Sequence, residues 1–69
     1  MVTYYIEVAK TGNIFYYYFK LKDAKCDLLQ HFKPNSAKII KLVGQYAYEG
    51  YHQYALTWNG KKFKKEKMI

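Results

Sequence analysis

The sequence predicts an α+β domain: one small antiparallel sheet in the order ββαβββ, with a single helix packed on one face. Three observations carry this. Residues Val2–Ala9 are β-branched and aromatic and alternate with a period of two. One run of helical period lies between Asp23 and Pro34. Asn59-Gly60, the strongest short hairpin signal in the chain, joins two strand-like runs.

The first strand places Val2, Tyr4, Ile6 and Val8 on one side and Thr3, Tyr5, Glu7 and Ala9 on the other. Lys10-Thr11-Gly12-Asn13 is a turn, and Ile14–Lys20 is a second strand, apolar and aromatic up to Phe19. Asp23 is suited to cap a helix reaching His31 or Phe32, with Leu21, Ala24, Leu28, Leu29 and Phe32 at helical spacing. Pro34 stops it, because a proline disfavours helix at the residue before it. Ala37–Val43 is rich in β-branched residues, Gly44 suits a bulge, and Gln45–Tyr48 extends the strand to a turn at Glu49-Gly50. Tyr51–Trp58 alternates, with Tyr54, Leu56 and Trp58 on one face, and Lys61–Glu66 forms the last strand. The alternative is a second helix over residues 37–50, giving ββαα(β). Lys38, Lys41, Gln45, Glu49 and His52 fall at spacings that make a polar helical face. The tyrosines, Gly44 and Gly50 weigh against it, since each lowers helix stability. The expected core is Ile6, Val8, Phe15, Phe19, Leu28, Phe32 and Trp58.

At 69 residues the chain is one domain, with residues 61–69 a basic strand or tail. A chain this short buries only about 60% of the surface its unfolded form exposes, so its large side chains must supply much of the contact area. Nine Tyr, four Phe and one Trp meet that need. Cys26 is the single cysteine, which excludes an internal disulfide and points to a reducing, cytoplasmic compartment. The N-terminal residues lack the basic and apolar regions of a signal peptide, and no apolar run approaches the ~20 residues that cross a bilayer.

The net charge is +7, and all twelve basic residues are lysine. Lysine is a flexible point charge, whereas arginine presents a planar fork that reads guanine and clamps phosphate. A lysine-only chain therefore favours anionic partners without the usual means of reading a base sequence. The plain alternative is codon usage in an AT-rich genome, which gives Lys for Arg without selection on function.

Two recognition surfaces are expected. With a helix over Tyr4, Ile6, Val8, Phe15, Tyr17 and Phe19, the other sheet face presents Tyr5, Tyr16, Tyr18 and Lys20. Exposed rings among lysines suit a protein or dimer interface, and they also suit stacking of single-stranded bases. The competing explanation is cross-strand packing that leaves only the hydroxyls wet. The second surface is Lys61, Lys62, Lys64, Lys65 and Lys67, which with Glu66 carry +4 of the +7. Such a cluster steers onto an acidic protein or a phosphate backbone, or it serves as a charged edge that discourages aggregation.

No catalytic, cofactor or metal pattern accompanies these surfaces. Cys26 and His31 are five residues apart, about 140° around a helix, and cannot form a nucleophile–base pair. No phosphate loop or zinc spacing is present, and Asp23 and Asp27 read as charges at a helix N-terminus. The expected function is that of a small non-enzymatic binding protein, an inhibitor or adaptor of a phage or other mobile element in its host cytoplasm. Its partner is an acidic or nucleic-acid-binding protein, with a homodimer as a further option. The alternative is a low-specificity protein that binds single-stranded DNA or RNA directly.

Overall fold

The computed structural model describes residues 1–68. Five strands form one antiparallel sheet: β1 (Val2–Val8), β2 (Ile14–Tyr18), β3 (Ala37–Val43), β4 (Tyr51–Trp58) and β5 (Phe63–Lys67). The one helix, α1 (Leu21–His31), joins β2 to β3. The expected order ββαβββ is the observed one, and the spatial order is β2-β1-β3-β4-β5. The helix lies over β2, β1 and β3.

Each element ends for a local reason. The β1–β2 turn closes through hydrogen bonds from the Gly12 amide to the Val8 carbonyl and from the Val8 amide to the Asn13 carbonyl. At the start of α1, Lys20 is the N-cap and offers no side-chain cap; Asp23 sits in the first turn rather than at the cap. There its charge favours the helix through the exposed backbone amides. The Phe32 amide closes the last turn on the Leu28 carbonyl, and the chain then extends towards Pro34.

Ala37–Val43 is strand throughout and pairs with both β1 and β4, so the second helix over residues 37–50 does not form. Strand pairing on both sides uses the β-branched residues that a helix would disfavour. Gln45–Tyr48 does not continue the strand either. Residues 44–50 make a pinched loop, because Gly44 and Gly50 meet back to back at its neck. A Cβ on Gly50 would lie 2.2 Å from the Val43 carbonyl oxygen, and its φ of 125° belongs to glycine. The last hairpin is also wider than Asn59-Gly60 alone predicts. Phe63 pairs with Trp58, leaving Asn59–Lys62 as the loop. The Asn59 side-chain oxygen accepts the amides of Lys61 and Lys62, an Asx turn that uses the backbone donors a two-residue turn would have placed in the ladder.

The principal core lies between α1 and the sheet: Ile6, Tyr18, Ala24, Leu28, Ala37, Ile39 and Leu56, with Tyr4, Leu21, Phe32, Tyr54, Trp58 and Phe63 packed against it. A second, smaller cluster of Tyr5, Ile40, Leu42 and Ala55 with Tyr17 lies on the opposite face. Of the expected core, Ile6 and Leu28 are buried and Phe32 and Trp58 partly so. Val8 is only half-buried, while Phe15 and Phe19 are 45% and 58% exposed. Leu29, expected on the buried helix stripe, is also exposed.

Candidate functional site

The register of β2 decides where the aromatic residues go. Tyr18 pairs with Tyr4, Tyr17 with Tyr5 and Tyr16 with Ile6. Directly paired residues share a face. Tyr16 and Tyr18 are therefore on the helix side with Tyr4 and Ile6, and Tyr17 joins Tyr5 on the other side. This corrects the expected face of Tyr5, Tyr16, Tyr18 and Lys20. Ile14–Phe19 is apolar at every position, so its alternation has no phase to read. The pairing is instead set by the turn and by an irregularity between Ile6 and Glu7.

The three tyrosines consequently have three environments. Tyr18 is 7% exposed, and its hydroxyl donates a 2.7 Å hydrogen bond to Asp27 of the helix. Burial, then the bonded carboxylate, pushes its phenol well above the usual range. Tyr5 is 6% exposed on the face opposite the helix, with the rings of Tyr17 at 5.6 Å and His52 at 6.2 Å. Burial, followed by nearby Glu7 and Tyr17, raises its pKa too. Only Tyr16 is freely exposed, at 63%, on the outermost strand. Lys20, the helix N-cap, is exposed.

The loop over residues 44–50 covers part of the face expected to be open. Its Tyr48 amide donates to the Thr3 hydroxyl, and the Tyr48 ring packs on Tyr17 at 4.9 Å and Phe19 at 5.7 Å. Thr3 and Leu42, beneath it, are buried. Tyr48 pays no steric cost lightly: its φ of 65° is unusual for a residue with a Cβ, and the ring contacts offset that strain.

The lysines of the C-terminal cluster separate by strand alternation. Lys61 and Lys62 occupy the hairpin loop. Lys64 lies opposite Thr57, on the face away from the helix, with Glu66 opposite Ala55. Lys65 and Lys67 turn to the helix side, opposite Leu56 and Tyr54. There they meet residues from three other elements, a grouping that sequence spacing does not reveal. Tyr54 of β4 lies between two ammonium groups, Lys41 of β3 at 5.2 Å and Lys65 at 4.5 Å from its ring centre. Lys25 of α1 lies 4.9 Å over the Phe63 ring. Burial, with Tyr4 beside it, raises the pKa of Tyr54.

Tyr54, Gln53, Lys65 and Lys67 line a shallow open depression of about 390 Å³. Among the described residues lining it there is no carboxylate. The Lys25–Phe63 and Tyr18–Asp27 contacts fix the rotation of α1. At 100° per residue, Lys22 and Lys25 then face β5 while Asp23 and Asp27 face β2. Glu7 bridges Lys38 at 3.8 Å on the far face, Glu66 shares that face, and Glu49 is in the 44–50 loop. The result is a basic groove of Lys25, Lys41, Lys65 and Lys67 around a half-buried tyrosine.

Cys26 is exposed, within 3.9 Å of the Gln30 side chain, while the His31 ring packs on Phe15. Among the described residues no three His, Cys, Asp or Glu side chains converge as a metal site would require. No helix among them is long and apolar enough to cross a membrane. Comparisons with protein-family models, curated proteins and solved structures find no match to this chain.

Proposed function

We propose that this chain is a non-catalytic binding module whose basic groove docks on an acidic surface of another protein. The observation that carries this is the bracketing of Tyr54 by Lys41 and Lys65 beside a depression with no carboxylate among its described lining residues. The two ammonium groups sit over the ring and remain open to water, where they attract anions. The depression is too shallow to enclose a small molecule, which needs a cleft that buries most of its surface. A broad acidic partner can instead engage the groove together with Lys61 and Lys62 of the adjoining loop. The role that fits is inhibitor or adaptor, of the kind mobile elements carry in a host cytoplasm.

Direct binding of single-stranded nucleic acid is the second reading, supported by the same lysines. It calls for open rings interleaved with the basic track so that bases can stack. Tyr54 is instead half-buried beneath lysines. The exposed rings of Phe15 and Tyr16 lie at the β2 edge, and those of Phe19, Tyr46, Tyr48 and Tyr51 lie at or beside the 44–50 loop.

Capture of partners on the tagged chain, with and without nuclease, tests the choice. The expected result is one protein retained after nuclease treatment by the parent and lost with Lys41→Glu/Lys65→Glu. Its complex should form more slowly as salt rises, because the groove acts over a Debye length of about 8 Å. Loss of all capture on nuclease treatment, with a gel shift on any oligonucleotide, would establish the nucleic-acid reading instead.

A further inference from the structure

On the reading that the basic groove docks an acidic protein, we infer that a segment of that protein adds antiparallel to the outer edge of β5, as a sixth strand of the sheet, with acidic side chains at alternate positions opposite Lys65 and Lys67. Among the described residues β5 is bonded to β4 alone, so its other side is an edge.

The last hairpin decides which backbone groups that edge offers. The Asn59 amide donates to the Lys62 carbonyl at one end, and the Met68 amide donates to the Gln53 carbonyl at the other. The pairing between them runs in unbroken register, and bonded pairs alternate along an antiparallel ladder. Lys64 therefore bonds to Thr57 and Glu66 to Ala55, while the amides and carbonyls of Phe63, Lys65 and Lys67 point away from β4. These are the same residues whose side chains lie on the helix side, opposite Trp58, Leu56 and Tyr54. Lys65 and Lys67 thus present an outward backbone donor and acceptor together with an ammonium group at the groove. An extended segment uses both: main-chain bonds hold it, and its alternate side chains select it.

Charge decides the occupant. Four of the five residues of β5 are charged, and three of those are lysine. Edge lysines guard a sheet against neutral strands, and they repel a second copy of this chain, which carries +7. An acidic strand turns the same lysines into cross-strand ion pairs. Directly opposite residues share a face, so the complement follows position by position. Lys67 and Lys65 call for acids, Glu66 between them for a base, Lys64 for an acid and the half-buried Phe63 for an apolar residue. Antiparallel, from Lys67 back to Phe63, the complementary segment is Glu-Lys-Glu-Glu-Val. An acidic helix laid across the groove would meet the ammonium groups but leave the outward amides unpaired.

The probe is that segment, flanked by glycines and capped at both termini, titrated into the full chain and followed by amide hydrogen exchange. Binding should weaken as salt rises, and exchange at the Lys65 and Lys67 amides should slow. Two backbone-methylated isomers of the peptide keep its sequence and charge. Methyl groups on the nitrogens of the residues opposite Lys65 and Lys67 block the donors to β5 and should weaken binding roughly tenfold or more. Methyl groups on the residues opposite Lys64 and Glu66 point away from β5 and should cost much less. Equal binding by the two isomers, or unprotected Lys65 and Lys67 amides in the complex, overturns strand addition and leaves an acidic surface held by charge alone. A chain that ignores every form of the peptide overturns it as well; if that chain shifts an oligonucleotide, acidic docking falls with it.

Discussion

The two edges of the sheet are built from opposite chemistry. β2 has no charge in five residues, whereas four of the five residues of β5 are charged. The difference follows from where the helix sits. Eleven residues of α1 cover β2, β1 and β3, and that half of the sheet gains a packed core on Leu28 and Ala24. The β4–β5 half lies outside the main helix contacts and meets that core through Leu56, with Tyr54, Trp58 and Phe63 packed against it. Lysine ammonium groups lie over its rings, Lys25 on Phe63 and Lys41 and Lys65 on Tyr54. Lysine thus serves two ends at once on that half: its ammonium groups cover aromatic rings and create the basic groove.

The comparison can be broken most directly through the core. Leu28→Ala should cost about 2–5 kcal/mol, since it leaves a cavity at the centre of the covered half. In a domain of this size that corresponds to a fall in Tm of at least about 10 °C. Trp58→Ala, at the margin of the core and only partly buried, should lower Tm less despite removing the larger side chain. Thermal melts that reverse this order would show that the β4–β5 half holds the fold together.

A smaller effect sharpens the link between helix and β2. Tyr18→Phe removes the bond to Asp27 and should cost on the order of 1 kcal/mol at neutral pH. Its pH dependence has a definite sign. The phenol is raised above its ordinary value of 10.0 in the folded chain, so below pH 10 both folded and unfolded states keep the proton. Above pH 10 the unfolded tyrosine ionises first, and stability falls as pH rises. Denaturant titrations from pH 9 to 11 should show the parent losing more stability than Tyr18→Phe; parallel curves would mean that Tyr18 ionises freely in the fold.

The smallest effect belongs to the basic groove. Lys65→Glu should change stability by about 0.5 kcal/mol or less, because the residue is exposed and its ring contact is replaceable. It should nevertheless slow association with an acidic partner several-fold at low salt. An association rate unchanged by this reversal would remove the groove from recognition.

The strands and the helix were legible because local rules agreed: alternation in Val2–Val8, β-branched residues in Ala37–Val43, and a turn signal after Trp58. The phase of β2 was not legible. With Ile14–Phe19 apolar throughout, either face fits the pattern, and only pairing with β1 makes Tyr18 a core residue and Phe19 a surface one. The loop over residues 44–50 was hidden for another reason. Its covering of Thr3 and Leu42 depends on two glycines six positions apart meeting at a neck, a tertiary contact with no local signature. The basic groove was half visible. Alternation after Phe63 divides the lysines of β5, but Lys25 and Lys41 join them only through the strand order and the rotation of the helix.

That strand order has a kinetic consequence. β1 with β2, β3 with β4, and β4 with β5 are pairings between sequence neighbours, joined by short loops. The β1–β3 ladder alone joins distant segments, Val2 with Val43 at one end and Val8 with Ala37 at the other. Hairpins close in microseconds, whereas contacts distant in sequence must first offset the entropy of the intervening chain. Two preformed pieces, an N-terminal hairpin with its helix and a C-terminal meander, should therefore meet along this single seam as the slow step of folding. Conservative truncations along the seam, such as Ile39→Val, should slow refolding more than comparable changes within either hairpin.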